Sequence, residues 1–295
     1  MIKTYEDIEQ FFQRRKKLKI KLGLERMQFL LKKLGNPEKK LFAIHIAGTN
    51  GKGSTVQFLQ SVLKNNGYKV GVFTSPSFTN LCGHILIDGK EIDEQEFVRV
   101  FQQLLPYIQQ LDEKSDSPTE FEILTVLAIQ YFAEKIDIAI LEAGMGGRYD
   151  TTNVIDPTIS VITNVSTDHI QFLGESMEEI AAHKAGIIKE NRPVVVGNVT
   201  EKVKNVIIEE AKEKNAAVYF LHEHYFYKNG EQKYTWSFED EEIHFSVGSH
   251  GIYQVENISI MLMVLKLLAN DGIDINCNDI NSLIESTELV GRFEK

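Results

Sequence analysis

The sequence predicts an α/β fold: a mostly parallel sheet with helices on both faces, plus a small antiparallel appendage. Three observations lead there. Short, mostly apolar runs at residues 41–44, 69–73, 136–141 (broken only by Asp137), 158–163 and 193–196 read as strands buried on both faces. Helix-like stretches separate them, the alternation of a parallel sheet with crossover helices. The first run leads directly into a glycine-rich turn, HIAGTNGKGST at residues 45–55, and then into an amphipathic segment.

The elements follow in chain order. Residues 5–17 and 25–34 read as helices, the second with an apolar face of Leu24, Met27, Phe29, Leu30 and Leu34. Strand 41–44 precedes the glycine turn, and a helix is expected from Val56 onward. A strand at 69–73 is broken by Ser75-Pro76, and a further one at 85–87 closes on an Asp88-Gly89 turn. Residues 93–111 are helical and 112–118 a polar surface loop. Thr119 followed three residues later by Glu122 is a capping box opening a strongly apolar helix. After strands 136–141, 158–163 and 193–196, residues 216–250 turn aromatic and charged. They carry a hairpin signal at Lys228-Asn229-Gly230 and read as the antiparallel appendage. The last expected helix runs over about 255–268.

Composition sets the bounds. At 295 residues, 43% hydrophobic and 25% charged, the chain is an ordinary globular protein with one large core or two modest ones. A net charge of −10 argues against non-specific nucleic-acid binding. The basic run Arg14-Arg15-Lys16-Lys17-Leu18-Lys19 reads as a solvated helix end or a collector of anionic substrate. Cys82 and Cys277 are too few and too far apart for a disulfide framework or a cysteine metal site. No apolar run approaches the ~18 residues of a membrane span, and the N-terminus lacks a signal-peptide core. A cytoplasmic monomer with neither a nucleic-acid nor a membrane partner is the expectation.

Chemistry gathers at four places. A strand, a glycine turn and a helix N-terminus make an anion site: backbone N–H groups converge, and the helix dipole favours negative charge. Gly48, Gly51 and Gly53 let the backbone approach phosphate, Lys52 offers a point charge, and Ser54 or Thr55 a hydroxyl for Mg2+. The strict P-loop spacing is not met, since Ile46 replaces the first glycine and Gly53 separates Lys52 from Ser54. The bland alternative is a glycine turn before a helix. Glu142 ends a buried strand ahead of Gly144, Gly146 and Gly147, so it either holds Mg2+ or caps a glycine turn. His169, in Asn164-Val165-Ser166-Thr167-Asp168-His169, emerges on the same sheet edge as a metal ligand or as a surface or core histidine. Lys184, near a helix C-terminus, reads by its own chemistry as a solvated, dipole-favoured lysine.

Together these motifs resemble the Mur ligase superfamily, most closely folylpolyglutamate synthase/dihydrofolate synthase. The loop AGTNGKGS at residues 47–54 is similar to that family's ATP loop, with the same extra glycine after the lysine. Leu22-Gly23-Leu24-Glu25-Arg26-Met27, Thr74-Ser75-Pro76, Thr119-Glu120-Phe121-Glu122, the run from Glu142 to Asp150, and Lys184-Ala185-Gly186 follow in the family's order. So do Gln254 to Asn257 and Gly291-Arg292-Phe293-Glu294.

The resemblance implies a central ATP-binding domain of the Mur ligase type over residues 1–289. Residues 290–295 would begin a linker to a C-terminal domain. It implies that Asn50, Gly51, Lys52, Gly53 and Ser54 cradle ATP, with Asn257 near adenine and Arg292 reaching ATP from the linker. Ser75, Glu142 and His169 would hold two Mg2+ ions, and Lys184 would carry an N6-carboxylate. Leu22, Gly23, Thr119, Glu120, Phe121, Glu122, Tyr149, Asp150 and Thr151 would line the pteroate site.

The implied reaction is ATP-dependent addition of L-glutamate to dihydropteroate or folylpolyglutamate through an acyl phosphate. Catalysis then rests on Lys52, His169 and Lys184. The chain departs from the family pattern at Ser77, at Gly83-His84, at Thr167 and at Tyr253. A Mur-type ligase for another acceptor and a non-catalytic ATP-binding module stay open as alternatives.

Overall fold

The computed structural model describes residues 2–15, 23–230, 233–248 and 251–289. Helices α1 (Tyr5–Arg15) and α2 (Glu25–Lys33) lead to strand β1 (Ala43–Ala47) and helix α3 (Lys52–Asn65). Next come β2 (Val70–Phe73), β3 (Ile85–Ile87), β4 (Lys90–Glu91), α4 (Glu94–Glu113) and α5 (Glu120–Phe132). Then follow β5 (Ile138–Glu142), β6 (Ile159–Ile162), α6 (Ile170–Leu173), α7 (Met177–Ala185), β7 (Val194–Val196) and α8 (Glu201–Glu213). The chain continues through β8 (Val218–Phe220), β9 (Tyr225–Asn229), β10 (Tyr234–Phe238), β11 (Glu241–Phe245), α9 (Gln254–Asn270) and α10 (Ile280–Ser286).

The main sheet has strand order β4-β3-β2-β5-β1-β6-β7-β8. Every pairing from β2 to β8 is parallel, and β3 and β4 add an antiparallel edge. Alternation along β1 shows why both faces are covered. Ile44 and Ile46 pack with α3 and α9 on one side, while Ala43 and Ala47 face helices on the other. On that second face, α1, α2, α4 and α5 cover Phe73, Ala139 and Leu141, and α7 and α8 cover Ile162, Val194 and Val196. The three-stranded sheet β9–β11 buries Tyr225, Trp236 and Phe245 against the α9 side.

The predicted α/β class and the antiparallel appendage are both present, with four corrections. Helix α3 starts at Lys52 rather than Val56, because Gly51 caps it in the left-handed region at φ 82°. Lys52, Gly53, Ser54 and Thr55 therefore form its first turn. The expected appendage begins late: Val218–Phe220 joins β7 as a parallel edge strand, completing the crossover through α8. Helix α8, which buries Val203, Ile207 and Ala211 at a four-residue spacing, was not singled out, and α10 follows the expected last helix. On α2 the buried face is Arg26, Met27, Leu30 and Leu31; Leu24 and Phe29 are only half-buried.

The buried arginines tie the N-terminal helices to α5. Arg26 Nε donates to Glu122 Oε1 at 2.8 Å, both residues being buried. Glu122 Oε2 accepts from the Thr119 backbone at 2.7 Å, which completes the expected capping box. Arg15 binds the Pro118 carbonyl at 3.0 Å and pairs with Asp112. Among the described residues no helix is long and apolar enough to cross a membrane.

Candidate functional site

Strands β2, β5, β1 and β6 are neighbours in the sheet, and all four point their C-terminal ends to one edge. Those strand ends and the loops after them carry Ser75, Glu142, the glycine turn and His169 respectively, Glu142 being the last residue of β5 itself. The order of the strands, not their order in sequence, brings these residues together.

The glycine turn is held from two directions. Gly48 has φ 152°, and a Cβ there would lie 1.9 Å from Thr163 Oγ1. That hydroxyl donates to the Asn50 carbonyl at 2.6 Å, and Asn164 Oδ1 accepts from the Asn50 backbone N–H at 2.9 Å. From the other side, α9 lays Asn257 against Gly51, where a Cβ would meet Asn257 Oδ1 at 2.2 Å. Asn257 Nδ2 donates to Gln254 Oε1 at 2.6 Å, and Gln254 Nε2 donates to Ser54 Oγ at 3.3 Å. The unpaired N–H groups of the first turn of α3 are thus fixed in place for an anion. Lys52 Nζ rests on the Gly48 and Thr49 carbonyls at 3.0 and 3.4 Å, within the turn it serves.

Beside this turn lies a cavity of about 350 Å3, lined by Gly53, Ser54, Thr74, Ser75 and Glu142 among others. Glu142 is buried at the end of β5 and accepts a hydrogen bond from Thr74 Oγ1. A second cavity of about 570 Å3 adjoins it, and Ser75 and Pro76 line both. Gly23, Thr119, Glu120, Phe121, Glu122, Tyr149, Asp150 and Thr151, all expected at an acceptor site, line this second cavity. Leu22 and Arg292 lie outside the described residues. Arg15, from the basic run read as a solvated helix end or a collector of anionic substrate, lines it too, and the sequence reading missed Met145, Phe172, Leu173 and His183, which are also in its wall. The shared run from Glu142 to Asp150 was the signal that could have found Met145. Phe172, Leu173 and His183 lie within four residues of His169 or Lys184, and only the packing of α6 and α7 turns them toward the cavity.

His169 also lines the second cavity. It is half-exposed, with φ 42°, and Asp168 Oδ1 stands 3.4 Å from its Nε2. Asp168 Oδ2 is 3.6 Å from Lys184 Nζ. The solvated reading of Lys184 is overturned: the side chain is fully buried and its Nζ has no hydrogen-bond partner. Burial first, then the Lys52 charge, pushes the Lys184 ammonium down to about 8, against the pull of Asp168. Burial also lowers His183 and raises the Asp150 carboxyl.

Glycines let the loop after β5 sit on the end of α7. A Cβ on Gly147 would lie 2.8 Å from the His183 carbonyl, and one on Gly186 would lie 2.4 Å from Arg148 Cβ. Asn153 Nδ2 clamps the junction by donating to the carbonyls of Arg148 at 2.9 Å and Gly186 at 3.0 Å.

A parallel sheet with a glycine turn, a helix N-terminus and an acidic strand end on one edge defines a nucleotide-phosphate-binding class. Residues 46–265 match the profile of the Mur ligase middle domain. The chain is 39% identical over 307 residues to a dihydrofolate synthase/folylpolyglutamate synthase of Bacillus subtilis, covering 100% of this chain and 71% of that protein. Escherichia coli FolC in complex with DHPP and ADP superposes with TM-score 0.86 at 29% identity, over 99% of this chain and 68% of that one. A solved FPGS–AMPPCP–folate complex gives TM-score 0.87 at 30% identity, over 97% of this chain and 72% of that one. The chain belongs to the Mur ligase family, within its dihydrofolate synthase/folylpolyglutamate synthase group.

Proposed function

We propose that this chain is the ATP- and acceptor-binding part of a ligase that joins L-glutamate to a folate-type carboxylate, dihydropteroate or a folylpolyglutamate, with release of ADP and phosphate. The observation that carries the reading is the pair of adjoining cavities: one beside the phosphate turn, one lined by the expected acceptor residues, with Ser75 and Pro76 in both walls. Relatives solved with ADP and DHPP, and with AMPPCP and folate, support it.

The acceptor carboxylate attacks the γ-phosphorus, ADP departs, and an acyl phosphate remains. The amine of L-glutamate then adds to the acyl carbon, loses its proton, and expels phosphate. Such chemistry asks for positioning and charge neutralisation more than for covalent work by the protein. The α3 amides and Lys52 hold the phosphates, with Asn50, Gly51, Gly53 and Ser54 shaping the cradle and Asn257 bracing it from α9.

The residues present fit Mg2+. A carboxylate and a hydroxyl, Glu142 and Ser75, share the cavity of the phosphate turn, and His169 lines the adjoining one. One carboxylate with substrate phosphates suffices for Mg2+, which keeps much of its hydration. Bound there, two such ions would offset the negative charge of the transferring phosphoryl group.

Lys184 as an N6-carboxylate belongs to the same proposal: the neutral amine and CO2 give the carbamate and one proton. A buried amine with a lowered pKa and no hydrogen bond among the described residues, its one ion pair there being the 3.6 Å approach of Asp168, supports it. Residues 1–289 would form the ATP-binding domain, and 290–295 would open a linker whose Arg292 reaches ATP.

Mass spectrometry of products tests the proposal. Dihydropteroate and a folate monoglutamate are offered separately with MgATP, L-glutamate and bicarbonate. A glutamate adduct on either is expected. A panel of non-folate carboxylates is offered in parallel, and adducts only on those would overturn the acceptor assignment.

A further inference from the structure

His45 sits in the middle of β1 with no solvent exposure, and the phosphate turn does not use it. Its Nε2 lies 2.7 Å from Thr152 Oγ1. The Thr152 hydroxyl donates to Asp150 Oδ1 at 2.5 Å, and the Thr152 backbone N–H donates to the same oxygen at 3.0 Å. Asp150 Oδ2 accepts from the Met145 backbone at 2.8 Å. Asp150 and Met145 both line the second cavity.

A hydroxyl has one hydrogen, and Thr152 gives it to Asp150. His45 must therefore donate through Nε2–H, which leaves Nδ1 as a bare lone pair; Nδ1 is indeed buried without a partner. Burial, and then the charge of Lys189, hold the imidazole neutral, its pKa lowered to about 3. The chain of donors runs one way, from His45 to Thr152 to Asp150, and ends on a carboxylate that accepts at both oxygens. The backbone N–H groups of Thr152 and Met145 can only donate, one to each oxygen, and these hydrogen bonds favour the carboxylate against the burial that raises its pKa.

We propose that His45 is a positioning residue for the acceptor: through Thr152 it fixes Asp150, and through Asp150 the wall of the acceptor cavity at Met145. The inference rests on the reading of that cavity as the acceptor site. A purely structural His45 would act differently. Its strand runs straight into the phosphate turn, so loosening β1 would damage nucleotide binding at least as much as acceptor binding.

The test is equilibrium binding of dihydropteroate and of MgATP to the chain and four variants. His45→Leu and Thr152→Val each break the relay, and the second leaves β1 untouched. Both should weaken dihydropteroate about tenfold, the scale of one lost buried hydrogen bond, with MgATP affinity unchanged. His45→Gln and Thr152→Ser keep a donor at each link and should restore dihydropteroate binding. Equal loss for both ligands, no loss for either, or no rescue would overturn the relay.

Failure of dihydropteroate to bind the unaltered chain would instead overturn the acceptor reading beneath it. Imidazole nitrogen NMR separates the two independently of any ligand. The relay requires His45 as a neutral Nε2–H tautomer, and an Nδ1–H tautomer or an imidazolium contradicts it.

Discussion

A lysine ammonium buried without a hydrogen bond weakens a fold unless it serves another purpose. Lys184 has a folded-state pKa of about 8 against an ordinary value of 10.5. Between those values the unfolded chain binds more protons, so stability rises with pH through that window and the whole cost is present below it. In bicarbonate-free buffer at pH 7, Lys184→Met should therefore raise stability by about 3 kcal/mol and abolish turnover. A urea midpoint no higher than that of the unaltered chain would contradict it. Lys52 and Glu142 were legible in the sequence because residue type and place along a strand–turn–helix already carry meaning. Lys184 was not legible by its own chemistry, since burial is a tertiary fact; only its place in an ordered set of motifs marked it. That Gln254, Thr163 and Asn164 hold the phosphate turn was hidden for a similar reason, although Gln254 and Asn164 lie in stretches the sequence already marked. The partners of the three lie 200, 113 and 114 residues away in sequence.

At the scale of elements, local signals were reliable where local physics decides. The Thr119 capping box formed as read, and Thr119→Ala should lower stability by about 1 kcal/mol. The loss should be visible as a lower thermal midpoint, and an unchanged midpoint would deny the cap its role. Where tertiary contact decides, the reading slipped. Gly51 and Gly53 argue against helix by propensity, yet α3 begins between them because Asn257 and the capping geometry of Gly51 support that turn. Strand β8 and helix α10 are 3 and 7 residues long, too short for a period to show. The contact of the β5 loop with α7 gives a second test. A Cβ on Gly186 would meet Arg148 Cα at 2.7 Å, and backbone cannot move aside as a flexible side chain can. Gly186→Ala should weaken dihydropteroate binding more than MgATP binding, measured by titration calorimetry. Unchanged affinity for both would show that the contact has no bearing on the acceptor cavity.

The whole molecule is organised by a strand order that sequence alone did not disclose. Buried apolar runs announced a parallel sheet, but nothing local says that β5 pairs with both β1 and β2, which places Glu142 between the phosphate turn and Ser75. That placement makes one site out of four loops. Lys52→Ala should cut turnover by about 10²–10³-fold or more with the near-ultraviolet dichroism of the fold unchanged; near-normal rates would remove Lys52 from the mechanism. The central claim is that the acceptor carboxylate itself attacks the γ-phosphoryl group of ATP. The most direct measurement uses an acceptor whose carboxylate carries oxygen-18, with mass spectrometry of the phosphate released during glutamate addition. An acyl phosphate transfers one labelled oxygen to inorganic phosphate. Unlabelled phosphate, or label found in AMP, would contradict the account.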